Sequence, residues 1–288
     1  MAKSGWLIVN GFLRTEKFAE LYALLQNAAN ARGVSLQCKT ACSLTLAFGE
    51  ETRIDKPDFV LFWDKDEVLA RRLEALQIPV FNGASAIAVC DNKILTAEAL
   101  VRCGVKAPKT IPAPKTFEGV GYTDLAFLDE AERALGYPMV IKEAYGSFGA
   151  QVYLVSDRAE ACAIIEKIAW KPFLLQEFIA ESRGRDIRVN IVGGKAVCAM
   201  LRVNGRDFRS NITGGGRARK LLLTKAQAEA AVAACRAVGA DFAGVDLLLG
   251  KDGPLVCEVN SSPHFKSTLD CTGVDLSGHI LDYILERV

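Results

Sequence analysis

An excess of either positive or negative charge is missing from this chain. Thirty-five basic and 34 acidic residues leave a formal charge of +1, so there is no basic footprint of a nucleic-acid binder. No stretch approaches the roughly 18 consecutive apolar residues that a membrane span needs. The first residues, MAKSGWLIVNG, carry one lysine and a short apolar run, Trp6 to Val9, without the apolar core of a signal peptide. They read as a first β-strand. No C-x-x-C occurs among the nine cysteines, whose number is odd. Cys38 and Cys42 are spaced to sit one helical turn apart, but no histidine lies near them, which argues against zinc. Buried thiols in a reducing, cytoplasmic setting are the expectation. The chain also lacks G-x-x-x-x-G-K-[ST], which excludes a P-loop nucleotidase, and it has no internal repeat or low-complexity tract.

What is present is ample core. Half of the 288 residues are apolar, and the length exceeds what one compact core usually holds, so two or three subdomains are expected. Up to about Cys90, strand and helix patterns alternate: WLIVN, VSLQCK, PDFVLFWD and IPVFN are strands. TEKFAELYALLQNAANARG is a helix with Phe18, Leu21, Leu25 and Ala28 on one face and Gly33 as its stop. Such alternation predicts a parallel sheet covered by helices. Asp91 is a plausible N-cap for the next helix, which runs to Arg102 and ends at Gly104. Pro108, Pro112 and Pro114 mark a boundary. Beyond it come a helix over Leu128–Leu135, the strands PMVIKEA and QVYLVS around the turn YGSFGA, a helix, and the strand PFLLQEFI. The last third is strand-rich: a hairpin around Gly193-Gly194, a polar Gly-rich stretch RDFRSNITGGGRARK, an Ala-rich helix from Lys225 to Val238, a second hairpin around Lys251–Gly253, and a closing helix.

Chemistry enters with LVCEVNSSPHF. Side chains alternate along a strand, so Glu258 and Asn260 project to one face while Cys257 and Val259 face the packed side. Alone, the pair fits a solvated edge. The preceding strand GVDLLL, however, places one acid, Asp246, among apolar neighbours, and the turn at Lys251–Gly253 returns the chain antiparallel. Asp246 and Glu258 can then meet across the hairpin, where two unpaired carboxylates repel. On that reading, neutralising either one should leave the metal-free protein as stable as before or more so. Two carboxylates and an amide oxygen suit Mg²⁺, which commonly brings a phosphate-bearing partner. Lys142, on a strand, precedes a turn with Gly146 and Gly149 whose N–H groups can cradle phosphate, although an ordinary hairpin turn looks the same. Asp186 and Arg188 share a strand face, and Arg202 and Arg209 follow. Most arginines are surface charge, but Arg188 lies inside an apolar strand, where an unpaired charge is costly. Three arginines near a metal suit an anionic reaction centre.

Together CDNKILTAEALVRCGVKAPKT, PMVIKEAYGSFGAQV, LLQEFIAESRGRDIRVNIVGGKAV, FRSNITGGGRARK and GVDLLLGKDGPLVCEVNSSP, spanning about residues 90 to 263, resemble the ATP-grasp superfamily and, within it, the RimK-type amino-acid ligases. The resemblance implies an α/β protein, α+β in the grasp itself. An N-terminal parallel α/β domain (1–88) would precede a linker helix and lid (89–175) and a catalytic subdomain (176–288). It implies ATP and Mg²⁺, with Mn²⁺ as a substitute. Lys93 and Lys142 would contact ATP under the Gly146, Ser147 and Gly149 loop. The backbone of Gln176, Glu177, Phe178 and Ile179 would read adenine, and Asp186 would hold the ribose. Arg209, Ser210 and Asn211 would line the triphosphate, and Asp246, Glu258 and Asn260 would bind the metal. Arg188, Arg202 and Arg209 would serve the reaction centre of an acyl-phosphate ligase that joins an amino acid such as glutamate to a protein, cofactor or small-molecule acceptor. A D-alanine- or glutathione-type peptide ligase and a non-catalytic ATP-binding regulator are the alternatives, and a homo-oligomer is compatible with all three readings. Two departures stand out. Gln151 occupies the last glycine of the G-x-x-G-x-G loop, and His264 follows NSSP where glycine is common. His264 is expected to fill space, and His279, on the final helix, to be structural.

Overall fold

The computed structural model of the protein describes residues 3–44, 46 and 54–288, without the side chain of residue 213. The first part is β1 (Ser4–Val9), α1 (Glu16–Asn30), β2 (Ser35–Thr40), β3 (Phe59–Trp63), α2 (Glu67–Ala75), β4 (Val80–Phe81), α3 (Ala84–Asp91) and α4 (Lys93–Arg102). Its four strands form a parallel sheet in the order β2-β1-β3-β4. Both faces are covered, as a parallel sheet requires, and the inner strands are correspondingly apolar throughout. Leu7, Val9, Phe59, Leu61 and Trp63 enter one core, and Trp6, Ile8, Val60 and Phe62 the other.

The second part is β5 (Thr110–Pro112), α5 (Ala126–Leu135), β6 (Met139–Glu143), β7 (Val152–Val155), α6 (Arg158–Ile168) and β8 (Phe173–Glu177). It builds an antiparallel sheet in the order β5-β8-β6-β7. The third part is β9 (Arg185–Val192), β10 (Lys195–Val203), β11 (Arg217–Lys220), α7 (Lys225–Ala237), β12 (Phe242–Gly250), β13 (Gly253–Asn260), α8 (Lys266–Thr272) and α9 (Leu276–Leu285). Its sheet runs β11-β10-β9-β12-β13, also antiparallel. A Thr224/Gln227 capping box starts α7, and the small side chains Ala231 and Ala234 let that helix lie close on the sheet beside Val245, Leu247, Val256 and Val259.

The chain end returns to the beginning. Leu276, Ile280, Leu281 and Ile284 of α9 share a core with Leu21 and Leu25 of α1. Trp63 stacks on Phe242 at 5.5 Å and meets Phe265 edge-on at 5.7 Å. Asn82, fully buried, fastens the same junction. Its amide donates to the carbonyls of Phe242 (2.9 Å) and Ser261 (2.7 Å) and accepts from the N–H groups of Asp241 (2.7 Å) and Phe242 (3.2 Å). With every polar atom satisfied, this buried amide joins the first sheet to the third without the cost of an orphaned group.

Several sequence expectations are corrected. The cap of α4 is Asn92, whose side chain accepts from Ile94 N and Leu95 N; Asp91 ends α3 and pairs with Lys65. Cys38 lies on β2 and Cys42 in a short 3₁₀ turn, so they do not share a helix. Phe18 is only half-buried and lines a cavity; Ala29 joins Leu21, Leu25 and Ala28 on the buried face. Within the polar Gly-rich stretch the structure adds an edge strand, β11.

Candidate active site

Register decides where the acids go. Asp246 on β12 stands directly opposite Glu258 on β13, and a bulge follows between Asp246 and Leu247. The bulge inserts one extra residue into β13, which re-aims the side chain next to it. Val256 and Val259 enter the core, whereas Cys257 turns into the cleft, where Lys142 Nζ reaches its sulfur at 3.3 Å. This corrects the strict alternation that put Cys257 on the packed side. Burial pushes the Cys257 thiol up, more than Lys142 lowers it, so the thiol stays protonated at neutral pH.

Two cavities share the wall that these acids form. The inner one lies between the second and third sheets and is lined by Lys93, Lys142, Gln151, the Gln176–Ile179 segment, Asp186 and Arg209. The outer one lies between the first and third sheets and includes Tyr22, Trp63, Asp64, Arg188, Asn260 and His264. The outer is the larger, about 540 Å³ against about 120 Å³. Ser147, Arg202, Asn211, Asp246 and Glu258 line both. Thus the residues named from sequence converge on one region, divided into a narrow inner cleft and a roomier chamber with the acids between.

The acids and arginines form a chain. Arg188 donates from Nε to Asp246 Oδ1 and from Nη2 to Oδ2 at 2.9 Å. Arg202 Nη2 lies 3.0 Å from Asp246 Oδ2 and also makes a bidentate pair with Asp186, at 2.7 and 2.5 Å. Burial alone would raise the Asp246 carboxyl; the Arg188 and Arg202 guanidiniums outweigh it and hold the group below the usual carboxylate range. Burial dominates at Asp186 and moves it upward despite Arg202. Asp246 is therefore already neutralised, and the unrelieved repulsion with Glu258 expected from sequence does not arise. Glu258 faces Lys93 Nζ at 3.9 Å. Burial draws the Lys93 ammonium below the usual lysine value, with Glu258 opposing.

The donor set fits magnesium. Three contacts from arginine occupy the oxygens of Asp246, and a carboxylate offers about four lone-pair sites, so Oδ1 keeps one. Asn260 donates its Nδ2 to Gly244 O at 3.3 Å, which leaves its carbonyl oxygen as the acceptor. Two carboxylates and an amide oxygen make a hard, oxygen-only set. No group of three His, Cys, Asp or Glu side chains clusters as a metal site among the described residues.

The glycine loop closes over the inner cleft through cations. Lys93 Nζ donates to Gly146 O at 3.1 Å, Arg209 Nη1 to Gly149 O at 2.6 Å, and Lys65 Nζ to Ser147 Oγ at 3.2 Å. Gly149 has φ +75°, a conformation that favours glycine, and a Cβ there would stand 2.7 Å from Asn211 Oδ1 and push that side chain aside. Arg209 is also clamped to Asp207, through Nε at 3.0 Å and Nη2 at 2.7 Å. Gln176 spends its side-chain amide on Thr110 Oγ1 (2.8 Å), and Ile179 O accepts from Ser182 N (2.9 Å). Ser210 is buried beside Asp186. Gln151, at the departure from the glycine pattern, lines the inner cavity, and its buried Oε1, packed against Gly146, has no hydrogen-bond partner.

A family model described as the RimK-like ATP-grasp domain matches residues 90–284. The chain belongs to the RimK-like ATP-grasp family. It is 36% identical over 228 residues to beta-citrylglutamate synthase B of Danio rerio, covering 77% of this chain and 54% of that protein. It is 37% identical over 219 residues to a probable alpha-L-glutamate ligase of Maridesulfovibrio salexigens, covering 75% and 70%. A RimK-domain ATP-grasp structure from Sphaerobacter thermophilus superposes with a TM-score of 0.75 at 21% identity over 97% of this chain and 98% of that one, which supports the mixed α/β grasp architecture. The chain spans little more than half the length of the first curated relatives it matches.

Reading the residues alone missed three members of this ATP-grasp site. Cys257 was hidden by the bulge. Lys65 and Asp64 follow β3, and the available signal was an acid closing the apolar run FVLFWD: in open α/β sheets, ligands gather beyond the carboxyl ends of parallel strands.

Proposed function

We propose that this RimK-like chain is an ATP- and Mg²⁺-dependent carboxylate–amine ligase that adds an amino acid such as glutamate to an acceptor. The observation that carries the reading is the shared wall: Asp246 and Glu258, opposite each other on β12 and β13, line both the inner cleft and the outer chamber. ATP in the inner cleft would direct its γ-phosphoryl group at a carboxylate held in the outer chamber. Lys93 and Lys142 would balance the polyphosphate charge, and the Gln176–Ile179 segment would flank the base. Arg188 and Arg202 would meet the negative charge that develops on the acyl group, as preorganised donors do. Arg209, which lines only the inner cavity, would latch the glycine loop over the phosphates. The loop and chamber walls would keep water from the activated acyl group. Asp246, Glu258 and Asn260 would hold Mg²⁺, or Mn²⁺ in its place, and the ion would supply charge neutralisation at the transferring phosphoryl group. Carboxylate oxygen bonds to phosphorus as ADP leaves; amine nitrogen then bonds to the acyl carbon as phosphate leaves, and the nitrogen gives up one proton. All nine cysteines are free, and a cytoplasmic setting belongs to the same proposal.

The test is ADP release with Mg²⁺ across the standard amino acids and a cell extract, followed by mass spectrometry of products. A mass gain equal to amide formation is expected. ATP binding without ADP release on every mixture would refute the ligase reading and leave a nucleotide-binding regulator.

A further inference from the structure

One carboxylate in the outer chamber has no role in what precedes. Asp64 follows β3 directly and is only 8% exposed. Its Oδ1 accepts from Asn10 Nδ2 at 3.1 Å and from Lys65 N at 2.8 Å. These two bonds fasten the turn after β1 to the end of β3, and a neutral asparagine would serve that purpose equally well. The negative charge is what they leave unexplained. A buried carboxylate is costly unless a cation meets it, and among the described residues none does. The cations of the chamber are committed elsewhere. Arg188 pairs with Asp246, Arg202 with Asp186 and Asp246, Lys65 with Asp91, and Lys266 with Asp270. Lys17 lies over the Phe148 ring at 4.7 Å.

The surroundings suit a cation on the ligand. Trp63, Phe18 and Tyr22 stand in the same chamber wall, and aromatic faces attract ammonium groups. Burial together with the charge of Asp64, and to a smaller extent Cys38, pushes the Tyr22 hydroxyl up to about 12, so it stays a neutral donor. We propose that Asp64 recognises a protonated amine on the molecule bound in the outer chamber. This rests on the ligase reading for the identity of the chamber as the substrate side. An ammonium paired with a carboxylate is held in its protonated form and has no lone pair for attack. The recognised group is therefore a spectator amine, as on an amino acid or peptide N-terminus whose carboxylate is the group activated. Asp64 is a specificity residue in this scheme and does not touch the reacting atoms.

The experiment uses the full chain loaded with Mg-ADP. Wild type and Asp64→Asn are titrated by calorimetry with the standard L-amino acids and with their N-acetyl counterparts, which keep the carboxylate and lose the charge. At least one free amino acid is expected to bind wild type and to lose about tenfold to a hundredfold in affinity in Asp64→Asn, the range for one charge-assisted contact. Its N-acetyl counterpart should bind wild type weakly and both proteins equally. Acetylated and free forms binding wild type alike overturns the proposal, and so does an unchanged affinity in Asp64→Asn, or no free amino acid binding at all. Should Asp64→Asn fold poorly, Asp64→Ser, smaller and also uncharged, replaces it with the same expected loss. ADP release from the same mixtures with ATP reports separately on the ligase reading: amine-dependent binding without turnover refutes the ligase and keeps the Asp64 site.

Discussion

Asp246 and Glu258 face each other as equals across a hairpin, yet neutralising them should have unequal consequences for stability. Asp246 is buried and takes Arg188 Nη2 at 2.9 Å and Arg202 Nη2 at 3.0 Å, besides Arg188 Nε. Asp246→Asn keeps the shape but removes the charge, and its amide presents N–H donors to guanidinium donors. Breaking a buried pair by removing one partner costs about 3–5 kcal/mol. Arg202 keeps Asp186, so the lower end, about 3 kcal/mol, applies mainly through Arg188. At roughly 2–4 °C per kcal/mol for a chain of this size, the metal-free variant should melt about 6–12 °C below wild type. Glu258 is about one-third exposed, with its nearest cation, Lys93, at 3.9 Å. Glu258→Gln should therefore cost under about 1 kcal/mol, while removing a proposed metal ligand just as Asp246→Asn does. Calorimetric melting in EDTA without nucleotide, paired with ADP release in Mg²⁺, separates the two effects: both variants nearly inactive, only one destabilised. If Asp246→Asn melts at or above the wild-type temperature, repulsion between the two acids outweighs the arginine clamp and the charge chain described above is wrong.

Other outcomes are equally specific. The Pro112–Ala169 segment should behave as a lid, with amides of the Gly146–Gly149 turn gaining hydrogen-exchange protection when ATP binds; equal exchange in both states refutes closure. Arg209→Lys, which loses the bidentate grip on Asp207 and the reach to Gly149 O, should lower kcat by about 10²-fold, the scale for a misplaced closing loop, with little change in the ATP dissociation constant. Lost ATP affinity with kcat retained would make Arg209 a ground-state nucleotide contact and leave Arg188 at the reaction centre. His264 is held below the ordinary histidine value, by burial first, with Lys17 Nζ acting in the same direction against its bond to Lys17 O. Its folded state prefers the neutral ring, so stability is constant above the unfolded value near 6.5 and falls as pH drops through the lowered folded value. His264→Gln should flatten the melting-temperature slope below about pH 6.5, and an unchanged slope refutes the assignment.

Much of the fold was legible because its signals are local. Alternating apolar runs announced the parallel sheet, Gly33 and Gly104 stopped helices, and Lys251–Gly253 turned the acid-bearing hairpin. The pairing of Asp246 with Glu258 followed from that hairpin alone. What was hidden depends on distant partners. Neither the guanidiniums on β9 and β10 that neutralise Asp246, nor the bulge that rotates Cys257 out of the core, has a signature in the hairpin's own residues. Phe18 fits the apolar stripe of α1 by spacing; only the approach of the third sheet shows that its side becomes a chamber wall. Asn82, a single amide between a short strand and a helix, looks like a turn residue until Phe242 and Ser261 arrive to bond it.

A common principle joins these cases. The cleft holds many charges, and nearly all of them are paired within the protein: Lys93 with Gly146 O and Glu258, Lys65 with Asp91, Arg209 with Asp207, Arg188 with Asp246, and Arg202 with Asp186. Internal pairing keeps desolvated charge tolerable. A polyphosphate entering the inner cleft must exchange partners rather than find free cations. Lys93 would leave a glycine-loop carbonyl for phosphate oxygen, and Arg209 can remain on Gly149 while facing the same anion. Ligand charge and loop position are coupled by that exchange, because the groups that attract the phosphates are the ones now holding the loop. The outer chamber follows the same rule with the sign reversed. Its one buried charge without an internal counter-ion among the described residues is the carboxylate of Asp64, so a cation from outside is what that side is built to receive.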